Sequence, residues 1–520
     1  MDKAYSFQNK YLFHITIVIL LIGLAYFPLF LNLGATQIKL WDEATYANNS
    51  LDMLYEDADL FVIKTEGKID LYNTKPPLVI WLQAISMKIF GMNEFAIRFP
   101  SALFGLFTVL IVFLFCLRNF DSAFIGFLAS MILVTSQGFV ANHVTRTGDL
   151  DSVLVFFLTL GILTFIDLIV SKPENPKSHF IILAVSLILG VLSKGIAGFL
   201  LILPMILIVI FNKDHSLLKD KRLYLSATIV LLVCSGYYFA REVIAPGYVK
   251  VVLETEIFRI NQEVMSWHVH PFDFYLRNLI NTEFNFFIYI IPFSIINLLI
   301  LKSKKYYLYI YVLVSALSYF LIISFPAVKL EWYSAPLIPL LSIIAGLTIV
   351  VVIRFLFEKI NKLKGRYTIS ILLSIITIAI LYNPYNNILK TIAFPPSYIY
   401  PMEYEGLYLK QLSSIHPEIK KITVFKIEKN KELYDQVLFY KRILEQENIY
   451  QIKITKEPFF ENNEIVMVSK PYELELLTKN YLTEKINTQQ SGSLHKIIHK
   501  IHLKTISLKA YFKAKLKVEI

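Results

Sequence analysis

The stretch Pro76-Pro77-Leu78-Val79-Ile80-Trp81-Leu82-Gln83-Ala84-Ile85-Ser86-Met87-Lys88-Ile89-Phe90 decides how the rest of the chain is laid out. It is apolar, yet it opens with two prolines and carries Gln83 and Lys88. A helix of this length reaches about 22 Å, short of a hydrocarbon core about 30 Å thick. The segment therefore reads as an interfacial or re-entrant helix and not as a crossing.

The runs around it are longer. Apolar segments at about 11–31, 98–117, 122–141, 152–170, 179–193, 196–212, 224–243, 284–301, 306–325, 335–357 and 367–384 predict about eleven membrane spans, with thirteen as the upper count. Composition agrees: 56% of the 520 residues are hydrophobic and 18% charged, and the mean hydropathy is +0.55, which excludes a water-soluble surface. Lys plus Arg exceeds Asp plus Glu by 51 − 40 = 11, an excess that would suit nucleic acid in a soluble protein. Here many of the basic residues flank apolar runs, where anionic headgroups meet them, so no nucleic-acid partner is expected. Cys116 and Cys234 both sit inside apolar runs and offer neither a disulfide framework nor a thiolate metal site. Lys3 and Lys10 precede the first run and no small-residue cleavage site follows it, so a retained first helix with a cytoplasmic start is expected.

Orientation follows from the short connections. Arg118, Lys172 to Lys177, Lys213 to Arg222, Lys302 to Lys305 and Arg354 to Arg366 bear Lys or Arg and alternate with the other loops, which places all five in the cytoplasm. Had residues 76–90 crossed, every later loop would change sides against that bias. With the interfacial reading, the outer face of a bacterial-type cytoplasmic (inner) membrane collects a first loop at 33–97, then 141–151, the turn at Lys194, 244–283, 326–332 and everything after Pro384. Residues 1–384 are thus expected to form the transmembrane domain and 385–520 a small extracytoplasmic α/β domain with a basic tail. Apolar runs at 422–427, 450–454 and 464–468 alternate there with helical patterns at 404–415 and 431–445.

The polar residues on that face carry the chemistry. Trp41-Asp42-Glu43-Ala44-Thr45-Tyr46 sets two carboxylates close to the first membrane exit, to act as a base, to bind a cation, or to be solvated at a helix start. Lys75, ahead of the double proline, suits a lipid phosphate at headgroup depth or ordinary snorkelling. The run from Asn142 to Asp151 brings Arg146, Asp149 and Asp151 to the lip of the next helix, where Asp151 could also be a cap. Lys194 sits in a turn between apolar runs with no acidic neighbour in sequence, so it snorkels or meets an anion. The same choice applies to Lys329, beside Trp332 and Tyr333, and to Arg259. Trp267-His268-Val269-His270 offers two imidazoles, which is weak evidence for a metal without a third ligand.

In order, DE after the first helix, KPPL, RFPSALFG, TRTGDLDSVLVFF, LSKG and KLEWYSAPLIP resemble the membrane glycosyltransferases of the GT-C type. The chain is similar in particular to the aminoarabinose transferase and protein O-mannosyltransferase-like group that uses polyprenyl-phosphate sugars. The resemblance implies a multi-spanning α-helical GT-C-like fold and an inverting transfer from a polyprenyl-phosphate-linked donor to a lipid, glycan or protein acceptor. It implies Asp42 as a general base with Glu43 beside it, and Asp151 as the acid of the second outer loop. Lys75 and Lys194 are implied to meet the donor phosphate, with Arg146, Arg259, Lys329 and Tyr333 as further donor-binding candidates and Tyr46, Asp149 and His270 as others. A divalent metal ion is left open as a cofactor, with Glu43, His268 and His270 as its candidate ligands. Two departures bear on this: Thr74 stands where the aminoarabinose transferases usually have an acidic metal ligand, and Thr45 where they commonly have Arg. The rival function is a transporter or flippase of lipid-linked sugars, which the lack of a visible internal repeat disfavours; an inactive scaffold is a third reading.

Overall fold

The computed structural model describes residues 2–500 apart from 55–59, 66–67, 72, 141–142, 213, 258–267, 361–365, 394–402, 427–430, 447–449 and 490–491. Arg259 and the tail at 501–520 lie outside the described residues. The chain forms two compact units, one of residues 1–36 and 49–395, the other of residues 37–48 and 396–520.

The first unit is helical. Among the described residues seven helical stretches are long and apolar enough to cross a membrane, or eight when a bent pair is added. Polar caps start some of them: the Asn93 side chain accepts the Ala96 N–H before Glu94–Phe120, and Asp220 accepts the Arg222 N–H before Lys221–Ile244. In Leu337–Leu356, 89% of the apolar window is buried against 17% in Lys221–Ile244, so the first runs through the interior and the second presents Leu231, Leu232 and Phe239 outward. An outer surface this apolar suits hydrocarbon, and the protein is integral to a membrane.

Lys177–Phe211 counts as one of the seven stretches, but the chain reverses within it. A Cβ added to Gly198 would lie 2.3 Å from the Val191 nitrogen and 2.4 Å from the Gly190 carbonyl carbon, whereas residues seven or eight apart along a straight helix are about 11–12 Å apart. The turn is made at Gly195, with φ +63°, so the chain folds back there and the two expected spans at 179–193 and 196–212 are separate pieces. The expected span at 284–301 is instead one arm of a bent pair: Phe274–Glu283 and Asn285–Ile300 are bent by 119° next to Asn285, whose φ is +42°. Residues 78–90 form a helix of 13 residues, Leu78–Phe90, short of a crossing. The expected domain boundary at 384 falls inside the helix Arg366–Ala393, and the units divide at Pro395; Pro384 ends nothing because a helix can pass through a proline at the loss of one hydrogen bond.

The second unit is a five-stranded mixed sheet in the order Gln451–Thr455, Lys421–Phe425, Ile465–Val468, Gly492–Lys500, Tyr481–Gln489. The first three strands are parallel and the last two antiparallel. Helices Tyr404–Ile415 and Lys431–Gln446 stand where the alternation predicted them. Residues 37–48 join this unit through side chains of the second helix: the Tyr440 hydroxyl accepts the Ile38 N–H at 2.9 Å, and Thr45 donates to Asp435 at 2.7 Å.

Candidate active site

In the first unit, the loop before Asp151–Ser171 is tied to the short helix by the residue that looked out of place in it. Gln83 is fully buried, donates to the Gly148 carbonyl at 2.7 Å and accepts from Ser50 at 2.7 Å. Within that loop the Thr147 hydroxyl accepts the His143 N–H at 2.8 Å and donates to Asp149, and the His143 ring faces Asp149 at 3.4 Å. The other face of His143 stacks on Trp332, with ring centroids 3.7 Å apart. Burial pushes the Asp149 carboxyl up, but His143, the Thr147 hydroxyl and Lys194 outweigh it and hold the group below the usual carboxylate range.

Lys194, the last residue of its helix, donates to both carboxylate oxygens of Asp151, the first residue of another, at 2.6 and 2.7 Å. A cation at a helix C-terminus and an anion at an N-terminus each meet a favourable end of the backbone dipole, so the frame stabilises both charges. The Lys194 ammonium also lies 5.2 Å from the centre of the Tyr333 ring. The turn after Lys194 packs toward Lys75: a Cβ on Gly195 would meet Pro76 at 3.7 Å and the Tyr238 hydroxyl at 3.2 Å.

Lys75 itself donates to Glu256 Oε1, the oxygen that also accepts from the Thr74 hydroxyl at 2.7 Å. The Tyr248 hydroxyl donates to the Thr74 carbonyl at 2.8 Å, and the Arg241 guanidinium stacks 4.3 Å from the Tyr248 ring. Burial pushes the Glu256 carboxyl up, yet Lys75, Thr74 and Lys194 together hold it below the carboxylate range. Lys75, Lys194, Asp149, Asp151 and Tyr333 thus gather with Glu256 in one unit.

Other candidates have structural roles. Arg146 donates to the Pro28 and Leu31 carbonyls at 2.8 and 2.7 Å, and Arg98 to those of Leu33 and Thr36, so two arginines satisfy the backbone at and after the end of the first helix. Burial and the nearby Arg98 lower the Arg146 pKa to about 10, which leaves it charged at neutral pH. Lys329, 2% exposed, donates to the carbonyls of His270 and Pro326 and stitches two extended segments joined at Val269 and Val328. The His270 ring stacks on Phe274, and neither His268 nor His270 belongs to a group of three metal-ligating side chains among the described residues. With a hydroxyl at position 74 as well, the residues expected to hold a metal do not form a donor set for it.

Asp42, Glu43 and Tyr46 belong to the second unit. Asp42 is exposed at the start of the helix Asp42–Asp52, whereas Glu43 is buried and accepts the Lys39 N–H at 2.7 Å, and Tyr46 is buried. The residue the sequence reading missed is Glu256. It lies outside every quoted motif, and the one hint was the acid absent at Thr74.

Residues 74–238 match the family described as dolichyl-phosphate-mannose-protein mannosyltransferase. An uncharacterized protein of Aquifex aeolicus is 29% identical over 61% of this chain and 60% of its own length. The undecaprenyl phosphate-alpha-4-amino-4-deoxy-L-arabinose arabinosyl transferase of Wigglesworthia glossinidia brevipalpis is 30% identical over 39% of this chain and 34% of its own length. The chain therefore spans 60% or less of the length of these curated relatives. The crystal structure of ArnT from Cupriavidus metallidurans bound to undecaprenyl phosphate superposes with a TM-score of 0.66 over 92% of this chain and 97% of that one, at 15% identity. At that identity the likeness is one of fold, and the fold is the GT-C-like one expected.

Proposed function

We propose that this protein is an inverting membrane glycosyltransferase that moves a sugar from a polyprenyl-phosphate donor to a hydroxyl of a lipid, glycan or protein acceptor at the outer face of the membrane. The observation that carries the reading is the meeting of the Lys75 and Lys194 turns, through Pro76 and Gly195, in a unit whose outer surface is apolar. A polyprenyl donor has that split character, with a tail for hydrocarbon and an anionic headgroup for fixed cations. The sequence match over 74–238 and the ArnT-like fold support the same donor class.

In the reaction the acceptor oxygen bonds to the anomeric carbon as the bond from that carbon to the phosphate oxygen breaks. The electron pair leaves with the phosphate, and the acceptor proton passes to a carboxylate. Lys75 and Lys194 stabilise the charge that grows on the leaving phosphate, and fixed cations beside a low-dielectric surface act more strongly than they would in bulk water. Asp42 takes the proton, the role the resemblance assigns it.

Turnover of purified protein with a polyprenyl-phosphate sugar and membrane-extract acceptors, read by mass spectrometry, tests the activity. Asp42→Asn is expected to lower it by a factor of about 10²–10⁴ with folding kept, and full turnover by that variant removes Asp42 from the mechanism. The proposed orientation is tested by impermeant thiol reagents. A cysteine at the exposed Leu60 should react in intact cells and one at the exposed Leu218 only after lysis, against a background of buried Cys116 and Cys234.

A further inference from the structure

We propose that Glu256 is an exchangeable counter-ion of the donor site: the donor phosphate displaces its carboxylate from Lys75, and the carboxylate returns to Lys75 as the product phosphate leaves. The inference rests on the reading of Lys75 as a phosphate contact. Three observations on different elements carry it.

First, the Thr74 hydroxyl and the Lys75 ammonium converge on the single oxygen Oε1 of Glu256, which is how a hydroxyl and a lysine grip one oxygen of a phosphate. Second, Glu256 lies within electrostatic reach of Lys194 as well as Lys75, with the phenols of Tyr238 and Tyr248 beside it, so it stands at the point where the two proposed phosphate cations act together. Third, it rides on the π-helical turn Leu253–Ile257 that directly continues the helix Tyr248–Val252, a wider backbone form that occurs frequently at functional sites.

The charges give the exchange a direction. The donor is a phosphodiester with one negative charge, and the product polyprenyl phosphate is a monoester that carries about 1.5 to 2 at neutral pH. The product would be gripped harder than the donor by two lysines. A carboxylate that competes for one of them weakens both ligands and so speeds product departure. Removing the competitor should tighten binding and slow release.

The test uses the purified full-length protein in nanodiscs with undecaprenyl phosphate as the probe, and compares wild type, Glu256→Gln, Glu256→Asp and Lys75→Met. If Lys75 is free of Glu256 in about a tenth of molecules, Glu256→Gln should bind the probe about tenfold more tightly. In turnover the same variant should show a lower KM for the donor together with a lower kcat and stronger inhibition by added undecaprenyl phosphate. Glu256→Asp, which keeps the charge but shortens the reach to Lys75, should bind about two- to threefold more tightly, and it decides the matter if Glu256→Gln does not fold. Lys75→Met should bind weakly whether or not Glu256 is replaced. Equal or weaker binding by Glu256→Gln or Glu256→Asp, with Lys75 still required, overturns the exchange and leaves the phosphate site standing. Wild-type binding by Lys75→Met overturns the phosphate site itself, and the exchange with it.

Discussion

Lys194 and Lys75 each face a carboxylate, but Asp151 is fixed to Lys194 by two helix ends and two hydrogen bonds, whereas Glu256 reaches Lys75 from the π-helical turn Leu253–Ile257 through one oxygen. Side-chain exposure differs in the same sense: 11% and 6% for the Lys194–Asp151 pair, 24% and 17% for Lys75–Glu256. The lesson is that two similar ion pairs in one site can do different work. The first belongs to the frame and holds a cation in place; the second belongs to the ligand and can be opened by an anion that binds better.

Substitutions should separate the two. The largest expected effect is on the frame: Asp151→Asn or Lys194→Met leaves a buried charge without its partner and should cost about 3–5 kcal/mol, read as loss of folded protein in detergent by thermal unfolding. The double variant Asp151→Asn/Lys194→Gln should recover much of that stability without recovering turnover. Stability equal to wild type in either single variant would break the contrast. Next, Lys75→Met should lower turnover by a factor of about 10²–10³ while changing stability by at most about 1 kcal/mol, because its ion pair is partly solvated. A smaller effect is expected at Arg146: Arg146→Met removes two bonds to backbone carbonyls and should cost about 1–3 kcal/mol, with unchanged probe affinity in the protein that folds. Weaker undecaprenyl phosphate binding by that variant would return Arg146 to the donor site.

The smallest effect is in pH. Asp149 and Glu256 have folded pKa values held below the usual carboxylate range, so both favour the folded state while ionised. Their contribution is complete above the unfolded value of about 4 and is lost as pH falls through the depressed folded values. The thermal midpoint should therefore vary little because of these groups between pH 7 and 5 and drop in acid, and Asp149→Asn should shrink the drop more than Glu256→Gln if the better-buried group is the more strongly fixed. An acid profile unchanged in both variants would remove them from the linkage.

Much of the fold could be read from the chain because hydrophobic length is a direct physical signal. The eleven apolar runs fall on helical segments, and the alternating runs near 422, 451 and 465 became strands. What escaped depended on single residues. The bend at Asn285 rests on one left-handed backbone, and the helix through Pro384 on the tolerance of one missing hydrogen bond. In the site, Lys194 and Asp151 were legible separately, but their pairing across 43 residues was not. Arg146 and Lys329 looked like phosphate ligands because a basic residue in a loop has the same sequence signature whether it meets a phosphate or a backbone carbonyl. Glu256 was invisible because its partner is 181 residues away and its role depends on a charge missing elsewhere.

The most direct test of the central claim is a cryo-electron microscopy structure of the protein with a polyprenyl-phosphate sugar in lipid nanodiscs. The account predicts phosphate density about 2.7–2.9 Å from Lys75 Nζ, within reach of Lys194, with the Glu256 carboxylate moved off Lys75. A headgroup bound away from both lysines, with the Lys75–Glu256 pair intact, would contradict it.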